Sequence, residues 1–222
     1  MRRTDPYDDP ASLRVRFRRR RFRRVARLVD EILSHRATCR ILDLGGSLQD
    51  WKVGADYLRT VRDRLEITLV NLDPATVADA ALFRAVTGDA CDLRAMPGGA
   101  SDLVHSNSVI EHVGSWAQMK RMAGEVRRLA PRYFVQTPSS WFPLEPHYAS
   151  IGFHWLPQSV QVWRMLRGRH GFVERVPDVD AATTAVQGTT LLDERQFRYL
   201  FPDARMEHET FLGLTKLLIA VR

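Results

Sequence analysis

From residue 39 onward, short apolar runs alternate with stretches whose hydrophobic positions recur every three or four residues. That alternation is the pattern of repeated βα units around a mostly parallel sheet. It predicts strands at 40–44, 67–72, 84–87, 102–106 and 132–136, with helices between most of them. Met119, Met122, Ala123, Val126 and Leu129 mark the clearest of these helices. A long irregular stretch follows, then a helix near 193–200 and two strands at 206–210 and 213–221. Two consecutive strands joined by a short link cannot both run parallel to the others, so one is antiparallel. Near the N-terminus, Phe22, Val25, Ala26, Val29, Ile32 and Leu33 share one face of a further helix.

Charge divides the chain differently. Its net charge is +7, yet residues 1–27 hold eleven arginines against three aspartates, a local +8 that leaves the rest at −1. A nucleic-acid-binding domain would spread cationic residues over a working face. Here a nearly neutral globule carries a cationic arm, which makes nucleic acid the less favoured partner and leaves contact with an anionic surface open. The plain alternative is a solvated helix face. The expected organisation is a basic, partly disordered arm over 1–21, beginning in a loose Asp- and Pro-rich tail, and one domain over 22–222. Cys39 and Cys91 are too few for a disulfide framework and lack neighbours at metal-ligand spacing, so both read as small buried residues and no metal site is assigned. No window approaches the roughly 18 apolar residues of a spanning helix. The expected location is cytoplasmic, with peripheral contact at the inner membrane surface as an option; the oligomeric state stays open, a homodimer included.

The first predicted strand runs directly into Asp43-Leu44-Gly45-Gly46-Ser47. Ligands bind at the carboxyl edge of open α/β sheets, and glycine there lets the backbone approach a nucleoside without Cβ obstruction. A dinucleotide site calls for Gly-x-G-x-x-Gly, whereas this loop reads Gly-Gly-Ser-Leu-Gln-Asp, which fits a ligand without a diphosphate. The second strand ends Val70-Asn71-Leu72-Asp73, where a carboxylate can accept from both ribose hydroxyls. The third ends Gly88-Asp89-Ala90, placed for an adenine ring. The fourth runs into Ser106-Asn107-Ser108-Val109-Ile110-Glu111-His112-Val113.

Taken in order, these four segments resemble the motif series of class I S-adenosylmethionine (SAM) dependent methyltransferases, of the bacterial type 11/23-like kind. The resemblance covers residues 39 to about 137 and the final strand pair. It implies a Rossmann-like, seven-stranded, mostly parallel sheet with helices on both faces and the last strand inserted antiparallel. It implies SAM as cofactor, held by Asp43, Gly45, Gly46, Asn71, Asp73, Asp89, Ala90, Ser106 and Asn107. Either Asn71 or Asp73 takes the ribose, according to register.

Beyond the fifth strand the segment 138–157 reads as an acceptor lid. Pro138, Pro143 and Pro146 hold it extended, so that its side chains are displayed. Trp141, Phe142, Tyr148 and Trp155 suit the face of a sugar or aromatic acceptor, and Glu111 and His112 join them. The same aromatics would equally seal the sheet edge, and Glu111 and His112 would equally serve loop structure. Methyl transfer to a hydroxyl needs a base, for which His147 or His154 is placed, with Glu145 orienting it. The resulting expectation is O-methylation of a small molecule or saccharide such as a sugar or glycolipid precursor. An RNA or protein methyltransferase anchored by the arm, and a catalytically silent scaffold, stand as alternatives.

Overall fold

The computed structural model describes residues 12–73, 81–170 and 173–222, so the expected loose tail lies almost wholly outside the described residues. The strands are β1 (Cys39–Leu44), β2 (Leu65–Asn71), β3 (Phe83–Thr87), β4 (Leu103–Asn107), β5 (Arg132–Pro138), β6 (Leu144–Glu145), β7 (Ser150–Ile151), β8 (Arg205–Phe211) and β9 (Leu214–Val221). The helices are α1 (Leu13–Leu33), α2 (Leu48–Trp51), α3 (Ala55–Val61), α4 (Trp116–Leu129), α5 (Gln158–Arg167), α6 (Val179–Gln187) and α7 (Glu194–Leu200). Seven strands hydrogen-bond in the order β3-β2-β1-β4-β5-β9-β8, while β6 and β7 form a separate hairpin. This is the mostly parallel Rossmann-like sheet expected from the sequence, with β9 inserted ahead of β8 and antiparallel to it.

The chain clusters into two compact units, Met1–Asn107 with Glu125–Phe134 and Ser108–Gly124 with Val135–Arg222. In the first, β1 lies between β2 and β4, parallel to both, and Cys39, Ile41, Leu42 and Leu44 are buried. Burial on both faces is why the run reads as continuously apolar rather than alternating. The start of β1 is fixed by Asp102, which accepts from the Arg40 backbone at 2.8 Å and from the Arg36 guanidinium at 2.9 Å. Burial alone would push that carboxyl up, but the two arginines hold it below the usual carboxylate range.

Helix α1 begins at Leu13, directly after the Asp- and Pro-rich tail, and runs unbroken through its arginines to Leu33. Its apolar side explains this: Val15, Val25, Leu28 and Val29 are buried, and Phe22 meets Trp51 and Tyr57 edge-on at 6.0 and 5.9 Å. Arg64 closes the helix C-terminus by donating to the carbonyls of Leu33, Arg36 and Ala37 at 2.7–2.8 Å. Beside the contact with α3, a cavity of about 650 Å³ is walled by Arg16, Arg19, Arg20, Arg23, Phe17 and Tyr57.

The second unit holds what periodicity missed. Helices α5 and α6 occupy the stretch that reads as irregular, and they pack around Phe153, Met165, Ala182 and Val186. Both had local signals: Pro157 precedes α5, and Asp178 caps α6 by accepting from the Ala181 amide at 2.8 Å. The segment 138–157 is also not simply extended, since β6 and β7 pair Leu144 with Ile151 and Glu145 with Ser150.

A methyl group at Gly54 would lie 2.0 Å from the Phe22 ring. Gly54→Ala is therefore expected to lower stability by about 1–3 kcal/mol through overpacking, measured by urea denaturation, and Gly54→Ala combined with Phe22→Leu to recover part of the loss. Unchanged stability in the single variant would contradict the packing of α1 described above.

Candidate functional site

In the first unit the carboxyl ends of β1 and β4 meet at Asp43, which has no solvent exposure. One of its oxygens lies 2.7 Å from His105 Nδ1 and the other accepts from the Trp51 indole at 2.7 Å. His105 stacks on Phe134 with ring centres 5.7 Å apart, so the imidazole is held on its face as well as at its edge. Burial would lower the His105 pKa, but the Asp43 carboxylate outweighs it and the net shift is upward. Asp43 and His105 thus form a buried hydrogen-bonded pair to which the Trp51 indole adds a second hydrogen bond, and the glycine loop folds over it. Gly45 adopts φ 71°, and a Cβ on Gly46 would sit 1.7 Å from the Asp43 carboxylate. Glycine at both positions is thus required by the backbone turn and by the closeness of the loop to the acid.

Asp43, expected among the cofactor contacts, therefore shapes the loop from beneath; its oxygens are already engaged. Ser106 is likewise buried, donating to the Leu44 carbonyl at 3.2 Å. Asn71 ends β2 and donates to the Gly46 carbonyl at 3.0 Å, and Asn107 donates to Asp50 at 3.3 Å. Among the expected cofactor contacts, the carboxylates of Asp73 and Asp89 are on the surface. Asp73 lies just past β2 and is exposed. Asp89 lies just past β3, also exposed, with one oxygen accepting from the Cys91 amide at 2.8 Å and Ala90 half-buried beside it. Trp51, which the sequence reading passed over, is the residue that ties α2 to β1. A lone tryptophan eight positions beyond the acid carries no spacing signal that would have singled it out.

The second unit gathers Glu111, His112, Glu145 and His147. Glu111 and Glu145 are buried, with 0% and 1% exposure, whereas His147 is half-buried and His112 exposed. Glu145 is saturated: it accepts from His147 Nδ1 at 2.6 Å and from the Tyr148 amide at 2.6 Å. His112 Nδ1 faces the Gly188 carbonyl at 3.0 Å. A carbonyl only accepts, so His112 Nδ1 carries its proton, as does His147 Nδ1 toward Glu145. The two remaining ring nitrogens, both Nε2, face each other at 3.0 Å. Glu111 accepts from the Thr137 hydroxyl at 3.0 Å through one oxygen; its other oxygen is buried without a well-aligned hydrogen bond, while the Ser108 hydroxyl and the Glu111 amide also favour the carboxylate. Burial pushes the Glu111 carboxyl up to about 7. Burial would lower His147, but the bond to Glu145 overrides it and the net shift is up; burial, with the neighbouring His147 adding to it, lowers His112.

Beside this cluster lies a cavity of about 490 Å³ whose wall includes Ser140, Trp141, Glu145, Tyr148, Trp155 and Thr189. Trp141 and Trp155 are exposed. Tyr148 is instead a core residue, buried against Phe153, with its hydroxyl donating to the Ala185 carbonyl at 2.7 Å. Phe142 stands edge-on to Phe211. His154 does not join the histidine pair; its Nε2 donates to the Ser140 carbonyl at 2.9 Å, which also accepts from Trp155 at 2.8 Å. The lid histidines thus separate into one that belongs to the cluster and one that fastens the loop. Gly188 and Thr189, which orient His112, escaped the sequence reading because they are 76 and 77 positions away from it.

No protein-family model matches the chain, and no curated protein matches it. Solved structures do. Magnesium protoporphyrin IX methyltransferase from Synechocystis PCC 6803, with S-adenosylhomocysteine bound, aligns over 97% of this chain and 90% of its own at 16% identity and a TM-score of 0.53. An O-methyltransferase family protein from Burkholderia thailandensis aligns over 92% of this chain and 57% of its own at 16% identity and a TM-score of 0.52. From the same organism, 1,6-didemethyltoxoflavin-N1-methyltransferase aligns over 90% and 76% at 12% identity and a TM-score of 0.51. The chain therefore has the class I SAM-dependent methyltransferase fold.

The raised Glu111 carboxyl has a defined consequence for stability. Its folded pKa of about 7 stands above the ordinary 4.5, so its contribution is whole below the unfolded value and is lost as pH rises through the folded one. Between pH 5 and 8 in a chelating buffer, unfolding free energy is expected to fall by about 3 kcal/mol from this group. Glu111→Gln is expected to flatten the profile, read from urea denaturation at each pH. A variant with the same slope as the parent would refute the assignment.

Proposed function

We propose that the chain is a SAM-dependent methyltransferase acting on a hydroxyl of a small molecule or saccharide. The observation that carries this reading is the β1 edge, where a glycine loop drawn down onto buried Asp43 is followed in strand order by exposed Asp73 and Asp89. Such an edge offers close backbone approach and two separated carboxylates, with no glycine pattern for a diphosphate. Asp73 is the ribose acceptor in this reading, because the Asn71 side chain is committed to the loop through Gly46. Asp89 and Ala90 take the adenine. The structural neighbours named above include O- and N-methyltransferases, so the choice of oxygen comes from the second unit and not from them.

In the chemical step an acceptor oxygen attacks the sulfonium methyl in line. The new O–CH₃ bond forms as the C–S bond breaks, neutral S-adenosylhomocysteine leaves, and the hydroxyl proton must be taken up. Uptake is assigned to the Glu111, His112, His147 and Glu145 cluster, with His147 as the side chain on which it turns. The tryptophan-walled cavity suits the apolar face of a sugar or ring acceptor.

The arginines around the α1 cavity are assigned to contact with an anionic surface. Four guanidinium groups beside three aromatic rings, against the single carboxylate of Asp56, fit the headgroup region of an anionic membrane, and the described residues contain no helix long and apolar enough to cross one. Replacing Arg16 and Arg20 by Gln is expected to reduce co-sedimentation with phosphatidylglycerol vesicles severalfold in a salt-dependent way, leaving SAM affinity unchanged. Equal sedimentation of parent and variant would dismiss this surface; selective loss of RNA binding instead would favour a polymer substrate.

Turnover with methyl-labelled SAM across a panel of hydroxylated acceptors tests the main reading. Asp73→Asn is expected to raise KM for SAM about tenfold, and His147→Gln to lower kcat about 100-fold with little change in KM for SAM. Near-normal kcat in the His147 variant would remove the cluster from the chemistry.

A further inference from the structure

The geometry points to a divalent metal site in the second unit, with Glu111, His112 and His147 as its ligands and Glu145 and the Gly188 carbonyl as its outer supports; we propose that it takes a six-coordinate first-row cation such as Mn²⁺, Fe²⁺ or Co²⁺. The proposal deepens the acceptor side of the function above and rests on the second unit handling the acceptor, but not on SAM binding.

Three observations converge. One donor atom from each of the three residues lies within 4.8 Å of the others. Each Nδ1 is committed to an acceptor, so the two Nε2 atoms, 3.0 Å apart, hold one proton or none between them. Two lone pairs at that separation repel unless something positive lies between or beside them. The third observation is the buried Glu111 carboxylate itself, one oxygen of which lacks a well-aligned hydrogen bond although the Ser108 hydroxyl and its own amide lie near. A single proton shared by the imidazoles would answer the pair but leave the buried Glu111 carboxylate without a full counter-charge. A dication answers all three at once.

The surroundings have the form expected around ligating histidines. A ring nitrogen bound to metal is oriented by a carboxylate or backbone carbonyl on the other ring nitrogen. Glu145 fills that place for His147 and Gly188 for His112, with Thr189 Oγ1 3.3 Å from the same His112 nitrogen. Glu145 is itself pinned by the Tyr148 amide, so His147 has little freedom to turn. Imidazole donors select against Mg²⁺ and Ca²⁺. With metal–nitrogen bonds of about 2.1 Å, ligands at right angles stand about 3.0 Å apart and tetrahedral ones about 3.4 Å apart. The histidine spacing matches the right-angle case, and three protein ligands leave coordination positions for acceptor oxygens. With a cation bound, the Nε2 lone pairs would be occupied; the cation's charge would make the acceptor hydroxyl more acidic, and its proton would pass to solvent water rather than to His147.

The test is titration of the chelator-stripped full chain with Co²⁺, followed by calorimetry and visible absorption, alongside SAM binding on the same samples. One equivalent is expected to bind with the absorption of a histidine-ligated centre. His112→Gln and His147→Gln are each expected to weaken binding at least 100-fold, and Glu145→Gln, which keeps an acceptor but drops the charge, 10- to 100-fold. If the variants fail to fold by circular dichroism, Zn²⁺ titration of the parent followed by imidazole ¹⁵N shifts decides, since two histidines must move together at one equivalent. Absence of saturable binding by folded parent protein, or binding that ignores these substitutions, overturns the proposal. Loss of SAM binding with cation binding intact would instead count against methyl transfer alone.

Discussion

The first unit depends on one buried carboxylate. Asp43 sits at zero exposure between the His105 imidazole and the Trp51 indole, and each of its oxygens is engaged at 2.7 Å. An ion in such a place is tolerable only with an opposite charge and full hydrogen bonding, because removing either partner leaves an uncompensated charge that costs several kcal/mol. Around that constraint the local structure follows. Trp51 ties α2 to the strand end, Phe22 of α1 packs edge-on against Trp51, and Gly46 lies so close to the acid that no side chain fits there. The loop that meets a nucleoside in the proposed function is therefore held by interactions no ligand touches.

The second unit solves the opposite problem. It places two buried carboxylates, Glu111 and Glu145, beside the imidazoles of His112 and His147, and one Glu111 oxygen lacks a well-aligned hydrogen bond. A fold that tolerates such a group needs a compensating role for it, since buried polar atoms without partners are uncommon and costly. The proposed functions divide accordingly: the first unit supplies donor recognition, and the second supplies acceptor chemistry through His147 and its neighbours.

Much of this was legible in the sequence, and the reasons it was not elsewhere are specific. Apolar runs marked β1, β2, β4 and β5 to within two residues at each end, because the centres of these strands are buried and mostly apolar. The order of the Asp43, Asp73, Asp89 and Glu111 segments pointed to the fold. Sequence order could not say which acids face outward: Asp43 looks like a ligand in the motif and proves to be buttress, since its partners His105 and Trp51 are fixed by tertiary packing. Helices α5 and α6 were lost among prolines and short polar residues, although Asp178 and Gly188 bracket α6. The His112–His147 contact spans 35 positions and depends on the hairpin of β6 and β7, which two-residue strands cannot announce. Tyr148 was read as displayed because Pro143 and Pro146 suggest an extended loop, whereas the hairpin turns it inward.

The central claim is that the β1 edge is built for a nucleoside carrying no diphosphate. Calorimetric titration of the full chain with SAM, S-adenosylhomocysteine and NAD tests it most directly. The account predicts saturable binding of one equivalent of SAM and of S-adenosylhomocysteine, and no heat of binding with NAD. Saturable binding of NAD, or none of the three bound by folded protein, would contradict it.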